Sequence, residues 1–173
     1  MLDPEYKVVH LGLDICGTVV GIGADVSTLA VGNQVLVHGF MKKPYGGFAE
    51  YSLQDPTTCV LLPEILPEGV DVSSLAASPC AAWTAYRTLF EKLRIPKIIG
   101  IDTLESNRTD ASSLTLAIIG ASGGVGSYAI QLAKLAGVGN IIAVCSTANV
   151  EYCRQLGATN VIDYKTEGIY DGE

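Results

Sequence analysis

Gly120, Ala121, Ser122, Gly123, Gly124, Val125 and Gly126 carry the strongest chemical signal in the chain, a glycine-rich string between an apolar run at 114–119 and a helical pattern. A diphosphate needs such a turn. It must approach the backbone closely, where a Cβ at Gly123 would obstruct it, and it rests on unpaired N–H groups at a helix start, where the macrodipole favours negative charge. Ala121, Gly123 and Gly126 fall at the key spacing of a loose dinucleotide fingerprint. A tight turn that uses glycine for packing alone is the alternative. Context favours the ligand reading, because Val125, Ala129, Leu132, Ala133 and Ala136 form one helical stripe that can lie on a sheet.

An acid about 20 residues beyond such a turn accepts from the ribose 2′-hydroxyl of NAD. Here that position is Ser146, and no acid follows until Glu151. A 2′-phosphate would meet hydroxyls and no repelling carboxylate, so NADP(H) is favoured as the cofactor. Arg154 and Lys165 are the nearby basic candidates, and either could equally be a solvated surface charge.

The elements that must position this turn read plainly on its C-terminal side. Residues 114–119, 141–145 and 160–164 are strand-like, with helices over 124–136 and 150–156 between them, which predicts right-handed crossovers and a parallel sheet. Upstream, residues 13–22, 34–37 and 48–53 read as short β segments punctuated by glycine, a small antiparallel unit. Residues 73–93 turn helical, with Ser78 as N-cap and Pro79 as first helical position. A polar loop is expected over 102–113.

Composition narrows the classes. With 49% hydrophobic and 17% charged residues the chain is globular, and eighteen acids against eleven bases give a net charge of -7 that draws it to neither nucleic acid nor anionic membrane. No basic, apolar leader opens the sequence and no apolar run approaches the roughly 18 residues that span a bilayer, so a cytoplasmic protein is expected. Five widely spaced cysteines without a C-x-x-C pair argue for reduced thiols rather than disulfides or a zinc knuckle.

Taken together, these residues resemble the medium-chain dehydrogenase/reductase superfamily, in its zinc-independent quinone-reductase and enoyl-reductase-like branch. The resemblance is carried, in family order, by Gly12-Leu13-Asp14-Ile15-Cys16-Gly17-Thr18-Val19-Val20, Val31-Gly32-Asn33-Gln34-Val35, Gly46-Gly47-Phe48-Ala49-Glu50-Tyr51, Pro79-Cys80-Ala81-Ala82-Trp83-Thr84-Ala85-Tyr86, the glycine turn, and Leu156-Gly157-Ala158 with Ile162-Asp163-Tyr164. It implies an α/β Rossmann fold, here half of a doubly wound parallel sheet, plus a partial GroES-like β-domain. The expected domains are 1–72 (GroES-like), 73–113 (connecting helix and loop) and 114–173 (dinucleotide-binding). Implied too are NADPH in the cleft and hydride transfer to a quinone, enone or enoyl-type small-molecule substrate. By the same likeness Thr84 would touch the nicotinamide or its ribose, and Ser146 and Tyr164 would lie near the adenosine phosphate.

The zinc-using branch of that superfamily carries a histidine ligand at the position of Leu13, and Cys80 occupies the place of another ligand. One cysteine is not a site, so no metal is expected; His10 and His38 are taken as structural or exposed. No catalytic acid emerges, Tyr45 being a candidate only through its place beside Gly46 and Gly47. Family members carry further strands before and after the matched segments, so the chain reads as the middle of a longer reductase. An open apolar edge on the first parallel strand, weak cofactor binding, and self-association or association with absent portions of the fold are then expected. The alternative function is a catalytically silent NADP-binding or interaction protein derived from such a reductase.

Overall fold

The computed structural model describes residues 11–39, 46–96 and 111–167. His10, Tyr45 and residues 102–110 of the expected loop lie outside the described residues. The chain divides into two compact units, Met1–Cys80 and Ala81–Glu173.

In the first unit, strands β1 (Asp14–Thr18), β2 (Gln34–His38) and β3 (Cys59–Leu61) pair antiparallel in the order β1-β2-β3. Alternation on β2 buries Val35 and Val37 on one face and turns Leu36 and His38 to the other. The β1–β2 register places Asp14 directly opposite His38. Residues 48–53, expected as a strand, are not one. Their apolar side chains face outward, with Phe48, Tyr51 and Leu53 all exposed, and the side-chain bond from Ser52 Oγ to the Gly46 carbonyl ties the segment back on itself. The third strand is instead Cys59–Leu61.

Helix α1 (Val72–Ala76) is capped by the Asp71 carboxylate, which accepts from the Ser74 amide. Helix α2 (Pro79–Tyr86) begins at Pro79 as expected, but Ser78 does not cap it: the Ser78 hydroxyl donates to the Leu75 carbonyl at 2.6 Å. That hydroxyl closes the preceding helix instead. From Arg87 to Lys92 the helix widens into a π turn, and the Leu93 amide donates to the Thr88 carbonyl five residues back.

The second unit alternates strand and helix: β4 (Thr115–Ile119), α3 (Gly124–Leu135), β5 (Asn140–Cys145), α4 (Val150–Leu156) and β6 (Asn160–Asp163). The strands are parallel in the order β4-β5-β6, as the sequence pattern predicts. Ile130, Ala133, Ile141, Ala143, Cys145 and Cys153 fill the core between sheet and helices. Burial, and then the adjoining Cys145 thiol, push the Cys153 thiol up to about 11, so it packs as a neutral apolar group. Among the described residues β4 borders β5 alone, and Ile119 at its end is 77% exposed.

The buried stripe of α3 is rotated from the expected one. Ala129 and Ala133 face the sheet, but Val125 is 42% exposed and Ile130 is fully buried. Val125 stands in the first turn of α3, at the rim of the cavity described below, where its side chain has no core to enter. Replacing Ile130 by Ala should therefore cost about 2–5 kcal/mol through transfer and cavity terms, while Val125→Ala should change stability by under about 1 kcal/mol. Urea denaturation of the two variants checks the difference; equal losses would restore the stripe read from the sequence.

Candidate functional site

The glycine turn joins the carboxyl end of β4 to α3, the end of a parallel sheet where ligands bind. Two positions require glycine for physical reasons. Gly120 has φ +70°, a left-handed conformation that costs a side-chain-bearing residue roughly 1–2 kcal/mol. Gly126 lies so close to the turn that a Cβ there would collide with the Gly120 carbonyl and come within 2.7 Å of the Ala121 Cα. Its hydrogen lets α3 start against the strand end.

The loop's amides divide into two sets. Ala121 is fully buried and its N–H donates to the Val144 carbonyl of β5 at 3.1 Å, while the Gly123 N–H donates to the Gly120 carbonyl at 3.0 Å. These two residues shape the turn with amides already engaged. The first backbone bond of α3 runs from Ser127 to Gly123, and no side chain caps the helix, so the amides of Gly124, Val125 and Gly126 have no acceptor among the described residues. Ser122 is half-buried between the two sets. The unpaired amides expected along the whole string are thus confined to the first turn of α3.

A cavity of about 410 Å³ borders this turn, lined by Gly120, Gly123, Gly124, Val125 and Gly126 together with Ala85, Thr88 and Leu89 and the residues of β4. Thr84, the residue implied by the family likeness, is exposed on α2, and its carbonyl accepts the Thr88 hydroxyl at 2.8 Å. Thr88 is a lining residue that the sequence did not single out. Its i+4 spacing from Thr84 was visible, but only the packed helix shows which of the two borders the cavity.

Ser146 and Tyr164 follow the carboxyl ends of the adjacent strands β5 and β6. Ser146 Oγ accepts from the Asn149 side chain at 3.1 Å, and the Tyr164 amide donates to the Cys145 carbonyl at 3.1 Å, with half of the tyrosine exposed. The parallel register sets Ser146 beside the glycine turn's strand and Tyr164 one strand further out. Of the two basic candidates, Arg154 reaches Glu151 at 3.8 Å on the exposed face of α4, and Lys165 lies beside Asp163.

Asp163 is the residue the sequence missed here. Only 7% exposed at the end of β6, it accepts from the Thr147 hydroxyl and from the Lys165 amide at 3.0 Å. The Thr147 hydrogen bond first, then the Lys165 amide, the Thr166 hydroxyl and the Lys165 charge, hold its carboxyl below the ordinary 3.8. It ties the segment carrying Ser146 to β6. The carboxylate therefore stabilises the folded chain above pH 3.8, and that contribution disappears as the pH falls through the lower folded-state value. Asp163→Asn should lower the urea midpoint at neutral pH and converge with the parent chain in acid; a constant offset from pH 7 to pH 2 would refute the linkage.

In the first unit a second cluster stands out. Asp14, His38 and Cys80 bring one donor atom each to within 4.8 Å of one another, and the Cys80 amide donates to Asp14 Oδ1 at 2.6 Å. The sequence placed His38 outside any such group, because cross-strand register is not a local signal.

Comparison with known proteins follows the same division. Residues 3–64 match the family described as alcohol dehydrogenase GroES-like domain, and residues 124–172 match that described as zinc-binding dehydrogenase. A trans-enoyl reductase of Aspergillus terreus is 33% identical over 163 residues, covering 91% of this chain and 40% of its own length. A chloroplastic quinone-oxidoreductase homolog of Spinacia oleracea is 36% identical over 155 residues, covering 90% and 42%. Among solved structures, the Escherichia coli quinone oxidoreductase complexed with NADPH superposes with a TM-score of 0.70 at 24% identity, over 96% of this chain and 44% of that one. The chain spans about 40% of the length of the curated relatives it matches. Among the described residues, no helix is long and apolar enough to cross a membrane.

Proposed function

The chain belongs to the medium-chain dehydrogenase/reductase superfamily, and from that premise we propose that the protein is an NADPH-dependent oxidoreductase that reduces a quinone, enone or enoyl-type substrate. The observation that carries the cofactor reading is the open first turn of α3. Three amides with no acceptor among the described residues stand at the carboxyl end of a parallel strand, in a glycine turn that borders a cavity. Those residues fit a dinucleotide's diphosphate. Both curated relatives described above are named as reductases or quinone oxidoreductases, and one structural neighbour was solved with NADPH.

Gly124, Val125 and Gly126 would hold the diphosphate through their amides, with Gly120, Ala121, Ser122 and Gly123 shaping the approach. Ser146 and Tyr164, at the ends of β5 and β6, would face the adenosine 2′-phosphate, and Thr84 and Thr88 on α2 and its π turn would border the nicotinamide half. When bound, the cofactor supplies a hydride to an electron-poor carbon. The chain's own contribution is positioning, which by holding donor and acceptor at reacting distance accounts for most of the acceleration such a site needs.

NADPH is expected to bind more tightly than NADH, and Ser146→Asp to weaken NADPH binding by about tenfold or more through repulsion of the 2′-phosphate while sparing NADH. Calorimetric titration of both cofactors checks this, alongside NADPH oxidation with a panel of quinones and enones on the chain and on a form extended at both ends to the length of the relatives. Equal affinity for the two cofactors would reject the 2′-phosphate assignment. Binding without turnover by the extended form would reject the reductase.

A further inference from the structure

Asp163 stands where two segments of the second unit meet. The parallel register sets it opposite Cys145, so Ser146 and Tyr164 both follow directly on that last rung, one after β5 and the other after β6. The Asp163 carbonyl accepts from the amides of Thr166 at 3.0 Å and Glu167 at 2.8 Å, and its Oδ1 accepts from the Lys165 amide at 3.0 Å. These bonds close the chain after β6 into a turn. The same carboxylate accepts from the Thr147 hydroxyl in the segment after β5. One side chain thus joins the two strand exits that carry Ser146 and Tyr164.

The segment after β5 depends on that link. Its local bonds run from the Asn149 amide to the Ser146 carbonyl at 2.8 Å and from the Asn149 side chain to Ser146 Oγ at 3.1 Å. They fix the shape of the segment but not its place relative to β6. Because Ser146 Oγ accepts from Asn149, its own proton is left to donate outward, and where that proton points depends on how the segment is held. Charge matters as well. A carboxylate beside a phosphate would repel it, yet Asp163 is almost fully buried and its oxygens are engaged by the Thr147 hydroxyl and the Lys165 amide. It is committed inward, and so does not offer the acceptor that an NAD-type acid gives the ribose 2′-hydroxyl.

We propose that Asp163 is a positioning residue for cofactor choice: without touching the cofactor, its carboxylate holds the Ser146 segment and the Tyr164–Lys165 turn at the separation a ribose 2′-phosphate needs, and so sets the preference for NADPH over NADH. The inference rests on the reductase reading above. It goes beyond that reading, because neither the glycine turn nor the missing acid after β5 calls for a buried carboxylate on β6. NADH presents only a hydroxyl at this place, so loosening the two strand exits weakens NADPH more than NADH.

Calorimetric titration of NADPH and NADH into the form extended to the length of the relatives tests the assignment. Thr147→Val removes the hydroxyl donor from an exposed position and leaves the carboxylate's charge in place. It should weaken NADPH binding by about three- to tenfold and NADH binding by under about twofold. Thr147→Ser, which keeps the hydroxyl, should match the parent. Asp163→Ala should weaken NADPH at least as much as Thr147→Val, and combining the two should add little, because both break the same bond. Far-ultraviolet circular dichroism checks that each variant folds; should Asp163→Ala not fold, the two Thr147 variants decide alone. Equal losses for both cofactors or additive losses in the double variant overturn the proposal. So does tighter NADPH binding by Asp163→Ala, the result that a merely repelling carboxylate would give. A parent with no preference for NADPH rejects the 2′-phosphate reading and the proposal with it, whereas a preference that every variant keeps rejects the role of Asp163 alone.

Discussion

The contact between Gly126 and the backbone of Gly120 and Ala121 fixes how near α3 can begin to the end of β4. A single methyl at Gly126 would overlap the Gly120 carbonyl, so the helix start and the strand end share a space that only a hydrogen can occupy. That proximity brings the uncapped amides of Gly124, Val125 and Gly126 to the strand end, in residues that line the same cavity as β4. Gly120 complements it by turning the chain through a positive φ that other residues resist.

The remaining parts of the second unit carry that geometry across the sheet. Ala121 spends its amide on Val144 of β5, and Tyr164 spends its own on Cys145, so the ends of three strands are stitched by backbone bonds. Asp163 then fixes the segment after β5 from below through Thr147. A buried carboxylate is costly unless its oxygens are satisfied, and here hydroxyl and amide donors satisfy them. The segment with Ser146 is held by these bonds rather than by apolar packing, since Thr147 and Ala148 are both exposed.

The first unit works by a different rule. Its sheet is antiparallel, so side chains far apart in sequence are set opposite one another by register. Asp14 and His38 are neighbours only because β1 pairs with β2 at that offset, and Cys80 joins them through one amide bond. A slip of one residue would turn His38 to the face of Val35 and Val37 and disperse the cluster. The same register that buries those valines therefore assembles the polar group on the opposite face.

Much of the second unit was legible in the linear text, because strand–helix alternation, helix period and the glycine string are local patterns that span few residues. Every strand and α-helix between residues 114 and 164 falls within about one residue of its expected bounds, and only the short 3-10 turn Thr147–Asn149 was not expected. Local pattern failed where the deciding partner was remote. Residues 48–53 alternate as a strand would but have no sheet to bury their apolar side, and Val125 fits the helical stripe yet stands beyond the core that Ile130 enters. Ser78 has the residue type of a cap and bonds to the helix behind it. Which loop amides remain open, which threonine borders the cavity, and that Asp14, His38 and Cys80 meet at all were decided by tertiary structure, since hydrogen-bond competition and cross-strand register depend on groups that the chain brings together only on folding.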